Sequence, residues 1–168
     1  MSGHTHNFNQ IYKQNYQNVY RLCLSYLSGN EQMAEEMCQE VFVKVWQNID
    51  RFRGEAKVST WIYRITVNTC LMHLRKIKKE AIKTDMELAD QSIDDNVDVK
   101  EQKLNWLRAC IKKLDEVSRL LISMVLEELP QKEIAEITGL SNENVRVKVH
   151  RSKGKIYKCM TLKEQQNA

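Results

Sequence analysis

The chain has 168 residues, a formal net charge of +4 and 42% hydrophobic residues, which suits one domain or two small ones with apolar cores. No run approaches the roughly 20 apolar residues that cross a bilayer, and the polar N-terminus lacks a signal-peptide core, so neither a membrane span nor a secretory leader is expected. One proline and five glycines supply few turns for a β-sheet protein, so the sequence predicts an all-α fold.

Two helices are predicted at the start of the chain, over residues 8–27 and 31–49, because apolar residues recur there every three or four positions. The second helix is expected to bury Trp46 with its other apolar residues. Its early outer residues are mostly acidic, which suits the helix dipole but also offers a docking surface to a basic partner. These residues are Glu35, Glu36, Gln39 and Glu40.

A third helix is predicted from Trp61 to about Lys79, after a connector that contains Gly54 and with Ser59 or Thr60 as its cap. Its outer face suits single-stranded or melting DNA, because cations follow phosphates, an amide can hydrogen-bond a base edge and apolar groups hold unstacked bases. The alternative is that the apolar members complete the core while the cations are only solvated. The face consists of Trp61, Arg64, Asn68, Met72, Arg75 and Lys79.

An acidic segment separates this helix from the rest of the chain. Between Thr84 and Glu101, seven acidic residues stand against one lysine, Lys100. Weak periodicity and charge of one sign are typical of a linker. We therefore predict a first domain over residues 1–83, a linker over residues 84–102 and a second domain over residues 103–168.

The second domain contains a predicted helix-turn-helix. Pro130 stands at the start of a short helix, Gly139 ends that helix, and Ser141 can cap the next one. From Asn144 to Lys158 the following helix has six Lys/Arg residues and no acid. Because a solvated helix face normally mixes both charges, this one-sided charge predicts a helix that enters the major groove of DNA.

The residues that could support catalysis or metal binding form no recognisable site. The sequence has no phosphate-binding loop and no nucleophile elbow, and its four dispersed histidines lack zinc-ligand spacing. Neither an enzyme nor a cofactor is therefore expected. The five cysteines have no C-x-x-C pair, which favours small buried thiols in a reducing compartment; they are Cys23, Cys38, Cys70, Cys110 and Cys159.

Both halves of the chain resemble one protein family. Residues Ala34–Phe42, Asp50–Gly54 and Ser59–Ile65 resemble conserved region two of the extracytoplasmic-function (ECF, group four) sigma factors. Residues Lys132–Ser141, followed by Val145-Arg146 and His150-Arg151, resemble their region four. The resemblance covers nearly the whole chain in the right order. It departs at Glu128-Leu129-Pro130, where a glycine is common.

The resemblance implies a sigma factor that binds core RNA polymerase and directs promoter-specific transcription initiation. It implies docking on the β′ clamp helices through Glu35, Glu36, Gln39 and Glu40. It implies binding of the −10 element by Arg53, Lys57, Ser59, Thr60, Trp61, Arg64, Asn68 and Arg75. It implies reading of the −35 element by Arg146, Val147, Lys148, His150 and Arg151. The other implied partners are the polymerase β flap and, in many members, an anti-sigma factor, all met in the cytoplasm.

Two other classes of protein stay open on the residues alone. A one-component helix-turn-helix regulator would need an N-terminal half that senses a ligand or dimerises, so dimer formation in solution would favour it. An adaptor or anti-sigma-type protein without a DNA role is disfavoured by the cations on both candidate DNA faces. Failure to bind DNA beside polymerase would favour that class.

Overall fold

The computed structural model describes residues 3–84 and 98–167, and within these ranges the chain forms seven α-helices and no strand. The predicted all-α fold is confirmed. The helices are α1 (Gly3–Tyr26), α2 (Glu31–Asn48), α3 (Val58–Thr84), α4 (Val99–Lys112), α5 (Glu116–Leu126), α6 (Gln131–Thr138) and α7 (Asn142–Gln166). Most of the predicted acidic linker lies outside the described residues. Among the described helices, none combines the length and the hydropathy that a bilayer crossing requires.

Helices α1, α2 and α3 pack side by side around one apolar core. Asn30 caps α2 by accepting a hydrogen bond from the Met33 main-chain N–H at 3.0 Å, which satisfies a donor that the helix leaves free. Helical spacing places one apolar stripe of each helix on the shared interior. The most deeply buried members include Leu22, Cys23, Tyr26, Met37, Val41, Val45, Ile62, Val67 and Cys70.

Two details of these helices differ from prediction. Trp46 is 61% exposed, so it lies outside the part of α2 that packs against the other described helices. Helix α3 begins at Val58, so Ser59 and Thr60 lie in its first turn and do not cap it. The earlier start extends α3 into the predicted connector and brings Thr60 into the interior, where it is 1% exposed.

Helices α4 to α7 form the second half of the molecule around Leu121, Met124, Ile134, Val145 and Val149. The predicted helix-turn-helix is present as α6, a tight turn and α7. Gly139 ends α6 at φ +72°, in the left-handed region that favours glycine. Ser141 caps α7 by accepting from the Asn144 N–H at 3.2 Å. Helix α7 continues to Gln166, eight residues past the predicted basic stretch, which ended at Lys158.

The chain leaves α5 through Glu128, whose φ is +59°. Its N–H donates to the Val125 carbonyl at 3.0 Å, and the Leu129 N–H donates to the Met124 carbonyl at 3.1 Å. A left-handed backbone costs a residue with a Cβ about 1 kcal/mol relative to glycine. Glu128 stands in the segment where members of the resembled family commonly have glycine, so the turn is retained although the glycine is absent.

The two halves pack against each other. Helix α1 contacts α5, and α3 contacts α6, so that buried side chains of both halves belong to one continuous hydrophobic cluster. The Arg119 guanidinium of α5 lies 6.0 Å from the centre of the Tyr26 ring of α1, within the range of a cation–π contact. The mutual arrangement of the halves therefore decides which of their surfaces face solvent.

Candidate nucleic-acid interface

The basic face of α7 is open to solvent. Every residue predicted to read the −35 element lies on it: Arg146, Val147, Lys148, His150 and Arg151 are all exposed. The opposite side of the helix buries Val145, Val149 and Ser152 against its neighbours. Because packing uses only this narrow stripe, the cationic side chains are free to meet phosphates and base edges.

Helix α6 holds α7 in place from one side, while α4 and α5 support it from the others. Ile134 and Ile137 of α6 are buried, three positions apart on one face of the helix. The Thr138 hydroxyl donates to the Ile134 carbonyl at 2.7 Å, and the Leu140 N–H lies 3.4 Å from the same Thr138 oxygen. These bonds brace the turn and thereby hold the start of α7, where the residues predicted to read the −35 element begin.

The residues predicted to bind the −10 element fall on α3 and on the loop before it. Arg53, Lys57, Arg64, Asn68 and Arg75 are exposed, Ser59 and Trp61 are partly buried, and Thr60 is buried. Trp61 packs against Phe52, with ring centres 5.1 Å apart. Gly54 at φ +72° gives the loop its turn. Contact with Phe52 thus holds the Trp61 ring in place. Met72 is 63% exposed, so it does not complete the core.

A concave site of about 410 Å³ opens on this face. Asn68 and Trp61 line it together with Lys44, Asn48, Arg51, Ile65, Thr69 and Met72. Lys44 of α2 donates to the Thr69 hydroxyl of α3 at 3.1 Å and pairs with Glu40 at 2.6 Å. An aromatic wall, an amide and cations in one concavity suit a base flipped from a nucleic-acid strand.

Helix α6 covers one end of this α3 face. The Thr60 hydroxyl donates to a Glu133 carboxylate oxygen at 3.3 Å, and Arg64 Nε donates to the Glu136 carbonyl at 3.0 Å. A third link joins the halves nearby, where Arg21 Nε lies 2.8 Å from Glu127 Oε2. Two of the predicted −10 residues are therefore engaged by the helix-turn-helix itself.

The acidic residues of α2 lie together on an exposed surface, as the sequence predicted. Glu35, Glu36, Gln39 and Glu40 all face solvent. The Tyr16 and Tyr20 rings of α1 stack with centres 6.3 Å apart. The pKa of Tyr16 is raised, first by burial and further by nearby groups that include Glu35. An acidic patch bordered by aromatic rings is thus available to a partner.

Several residues at these surfaces were not found from the sequence. Lys44, Asn48 and Arg51 line the concave site from α2 and the turn that follows it, and Glu133 and Glu136 contact α3 from α6. On their own helices they have the spacing of ordinary solvent-exposed residues. No local pattern distinguishes them, because their partners are distant along the chain.

The cysteines depart in part from the prediction of buried thiols. Cys23, Cys38 and Cys70 are free and buried, as expected. Cys110 of α4 and Cys159 of α7 form a disulfide. The sequence contained no spacing signal for this pair, since the two residues become neighbours only when α7 packs along α4.

Comparison with known proteins assigns both halves. The family profile described as Sigma-70 region 2 matches residues 11–80, and the profile described as Sigma-70, region 4 matches residues 104–156. The ECF RNA polymerase sigma factor SigW of Bacillus subtilis is 31% identical over 149 residues, covering 80% of this chain and 79% of SigW. The chain belongs to the ECF sigma factors of the sigma-70 family. It is a sigma factor that directs transcription initiation by RNA polymerase.

Other relatives agree. This sigma factor is 30% identical over 168 residues to the RNA polymerase sigma factor YlaC of Bacillus subtilis, covering 94% of each chain. A solved structure of the sigma factor RpoE in complex with the anti-sigma factor NepR from Bartonella quintana matches with a TM-score of 0.74 and 18% identity. That match covers 92% of this chain and 97% of RpoE, which shows a shared fold.

Proposed function

We propose that this sigma factor recognises its promoters with two separate surfaces, the basic face of α7 for the duplex −35 element and the α3 face for the opened −10 element. The observation that supports this most is the division of α7 between a buried apolar stripe and an exposed cationic face. That division supports insertion into a major groove, because the packing that orients the helix does not consume the groups that touch DNA.

The individual −35 contacts follow from residue chemistry. Arg146 is suited to bidentate bonding to a guanine edge, whereas Lys148 is suited to phosphate. His150 and Arg151 lie one turn further along and extend the contact, while Val147, 37% exposed, can touch a thymine methyl group. In this scheme one helix supplies both the base reading and the electrostatic attraction.

Capture of the −10 element uses the concave site on α3. Asn68 hydrogen-bonds the edge of a flipped base, the Trp61 wall supports its ring, and Arg53, Lys57, Ser59, Arg64 and Arg75 hold the strand around it. Removing a base from the stack costs a few kcal/mol, so contacts of this kind must return a similar amount. The loop at Gly54 allows the chain to bend around the base.

In the structure α6 lies against α3, and we call this packing the closed arrangement. It must open before capture of the −10 element takes place. Thr60 is buried beneath α6 and Arg64 is bonded to the Glu136 carbonyl, so a DNA strand and α6 compete for the same groups. The acidic surface of α2 is exposed in the closed arrangement. Docking of Glu35, Glu36, Gln39 and Glu40 on the β′ clamp helices therefore precedes opening, and region four then reaches the β flap and the −35 element.

Run-off transcription with core polymerase on genomic fragments tests the proposal as a whole. Specific start sites that depend on this protein are expected. Glu40→Lys should reduce association with core polymerase. Glu101→Lys, an equal charge change at an exposed position of α4, should not reduce it. Both variants should keep a helical circular dichroism spectrum. Dimerisation with sequence-specific DNA binding in the absence of polymerase would instead identify a one-component regulator.

Three further assignments belong to the same proposal. The protein contributes no chemistry of its own, since polymerase forms the phosphodiester bonds. It acts in the cytoplasm, where the polymerase is found. An anti-sigma factor holds it inactive. The support is that RpoE, which shares the fold, was solved in complex with the anti-sigma factor NepR. Pull-down of a single stoichiometric partner that blocks run-off transcription would test this.

A further inference from the structure

The disulfide between Cys110 and Cys159 joins the C-terminal part of α7 to α4. The Cα atoms of the pair are 5.8 Å apart, within the usual range for a disulfide. Cys110 is 2% exposed, whereas Cys159 is only partly buried. One sulfur is therefore sheltered and its partner is accessible, which is the arrangement of a reactive thiol beside a resolving thiol.

The other cysteines of the chain behave differently. The sulfur atoms of Cys23 and Cys70 lie 4.0 Å apart without forming a disulfide, inside the core of the first half. A hydrogen bond to Cys70, together with burial, raises the pKa of Cys23, and burial raises the pKa of Cys38 to about 12. Because an oxidant must reach the sulfur and the thiolate is the reactive form, burial of all three side chains shelters these thiols from oxidation. Redox chemistry is thus confined to one pair in the second half.

The location of Cys159 is also specific. The region 4 profile ends at residue 156, so Cys159 lies in the extension of α7 beyond it. Lys155 and Lys163 stand one turn before and one turn after Cys159 on the same helix, at the spacing at which helix side chains are neighbours. A second link binds the extension, since Lys103 Nζ of α4 lies 3.5 Å from Glu164 Oε1.

We propose that Cys110 and Cys159 form a reversible thiol–disulfide site that is oxidised by hydroperoxides and reduced by thiols, and that its state sets how firmly the C-terminal extension of α7 is held. Disulfides in reducing compartments are usually transient and redox-sensing. A cytoplasmic sigma factor with one bonded pair and three buried free thiols fits that pattern.

Oxidation proceeds in two balanced steps. The Cys159 thiolate attacks a peroxide oxygen, the O–O bond breaks, and a sulfenic acid forms while the released alkoxide or hydroxide takes a proton. The Cys110 sulfur then attacks the sulfenic sulfur, the S–S bond forms and water leaves. Two electrons pass from the two sulfurs to the peroxide. In the reverse direction two reductant thiols release both cysteines through a mixed disulfide and become a disulfide themselves.

The consequence falls on the extension rather than on the DNA-reading part of α7. Val145, Val149 and Ser152 anchor the reading part by burial, and none of them depends on the disulfide. Beyond Ile156 none of the described residues of the helix is fully buried, and the disulfide and the Lys103–Glu164 pair link this part to α4. Reduction should therefore release the extension while −35 binding persists.

The test uses the full-length protein in buffers with graded ratios of reduced to oxidised dithiothreitol, followed by alkylation and mass spectrometry. Cys110 and Cys159 should gain the label together as the buffer becomes reducing, and hydrogen peroxide should restore the bond. Trypsin should cut after Lys158 and Lys163 at least fivefold faster in the reduced protein. The Cys38→Ser variant should titrate in the same way as the natural chain.

Single-cysteine variants test the assigned order of steps. After peroxide, Cys110→Ser should retain a sulfenic acid at Cys159 that dimedone traps, whereas Cys159→Ser should yield no adduct at Cys110. The proposal is overturned if the pair is labelled even in the most oxidising buffer, or if it resists the strongest reductant in the folded protein. Equal tryptic cleavage in both states would overturn the assigned effect on the extension.

Discussion

The basic faces of α7 and α3 carry similar side chains but differ in what covers them. On α7 the five residues assigned to the −35 element are all exposed, and the supporting contacts come from the other side of the helix. On α3 the assigned residues include Thr60 and Arg64, which bond to α6. An exposed cation on a helix therefore does not by itself indicate a surface that is free to bind.

The difference arises from which groups the fold uses for packing. Helix α7 is anchored by apolar side chains that DNA would never contact. Helix α3 is partly anchored through Thr60 and Arg64, which we propose also contact DNA, so in this proposal α6 and DNA compete for the same hydrogen bonds. We expect changes in α7 to alter recognition directly, and changes near α6 to alter the availability of the α3 face.

The largest expected effect is a loss of stability in the second half, α4–α7, relative to the first half, α1–α3. Because the disulfide closes a sequence separation of 49 residues, its loss should destabilise α4–α7 by about 4 kcal/mol in the chain-entropy account. Cys110→Ser should show this in denaturant unfolding, with hydrogen exchange in α4–α7 accelerated more than in α1–α3. Reductant should lower the stability of the natural chain and leave Cys110→Ser unchanged; an equal response in both proteins would contradict the assignment.

The second-largest effect concerns the exposed basic face of α7. Arg146→Ala should weaken −35 duplex binding by roughly 1–3 kcal/mol and relax the choice of base at one position. Lys148→Ala should weaken all sequences alike and reduce the salt dependence. Fluorescence anisotropy with promoter and scrambled duplexes measures both, and Lys100→Ala, an exposed cation on α4, is the matched control. If Arg146→Ala leaves affinity and base preference unchanged, α7 does not read DNA through this residue.

The third prediction concerns the α3 face, where Asn68 lines the concave site. Asn68→Ala should remove one hydrogen bond to a captured base, worth about 1 kcal/mol or roughly fivefold in open-complex formation. Permanganate footprinting on duplex promoters measures it, and a template mismatched across the −10 element should rescue much of the loss. Asn9→Ala, an exposed amide of α1, serves as the control. Normal strand opening by Asn68→Ala would rule out the base-capture role.

The smallest effect tests the closure itself. Arg21 is 56% exposed and its partner Glu127 is 12% exposed, so this ion pair should contribute roughly 0.5 kcal/mol to the closed arrangement. Glu127→Ala should raise the affinity of the free protein for a single-stranded −10 oligonucleotide about twofold. Glu136→Ala removes the same charge but keeps the main-chain oxygen that Arg64 contacts, and should change little. Identical affinities for Glu127→Ala and the natural chain would show that this pair does not hold the halves together.

Much of the fold was predictable because its signals are local. Apolar spacing identified α1, α2 and most of α3, and Pro130, Gly139 and Ser141 identified α6, the tight turn and the start of α7. These signals act through residues only a few positions away. No helix was predicted for the segments that form α4 and α5. The predictions failed where a neighbour in space decided the outcome. Trp46 had suitable spacing for burial and yet is exposed, because it lies outside the packing of α2 with the other described helices. The boundaries predicted for the two domains and the linker stay predictions.

The sequence by itself determined α1 to α3, α6, the capped turn before α7, the one-sided charge of α7 and the acidic surface of α2, since each depends on residues close together along the chain. Only the tertiary structure decided that α6 lies on α3, that Lys44, Asn48 and Arg51 join Asn68 around one concave site, and that Cys110 meets Cys159. The bonds of Thr60 and Arg64 to α6 span 73 and 72 residues. Such contacts follow from how completed helices pack against one another, and helical periodicity does not encode the partner of an exposed face.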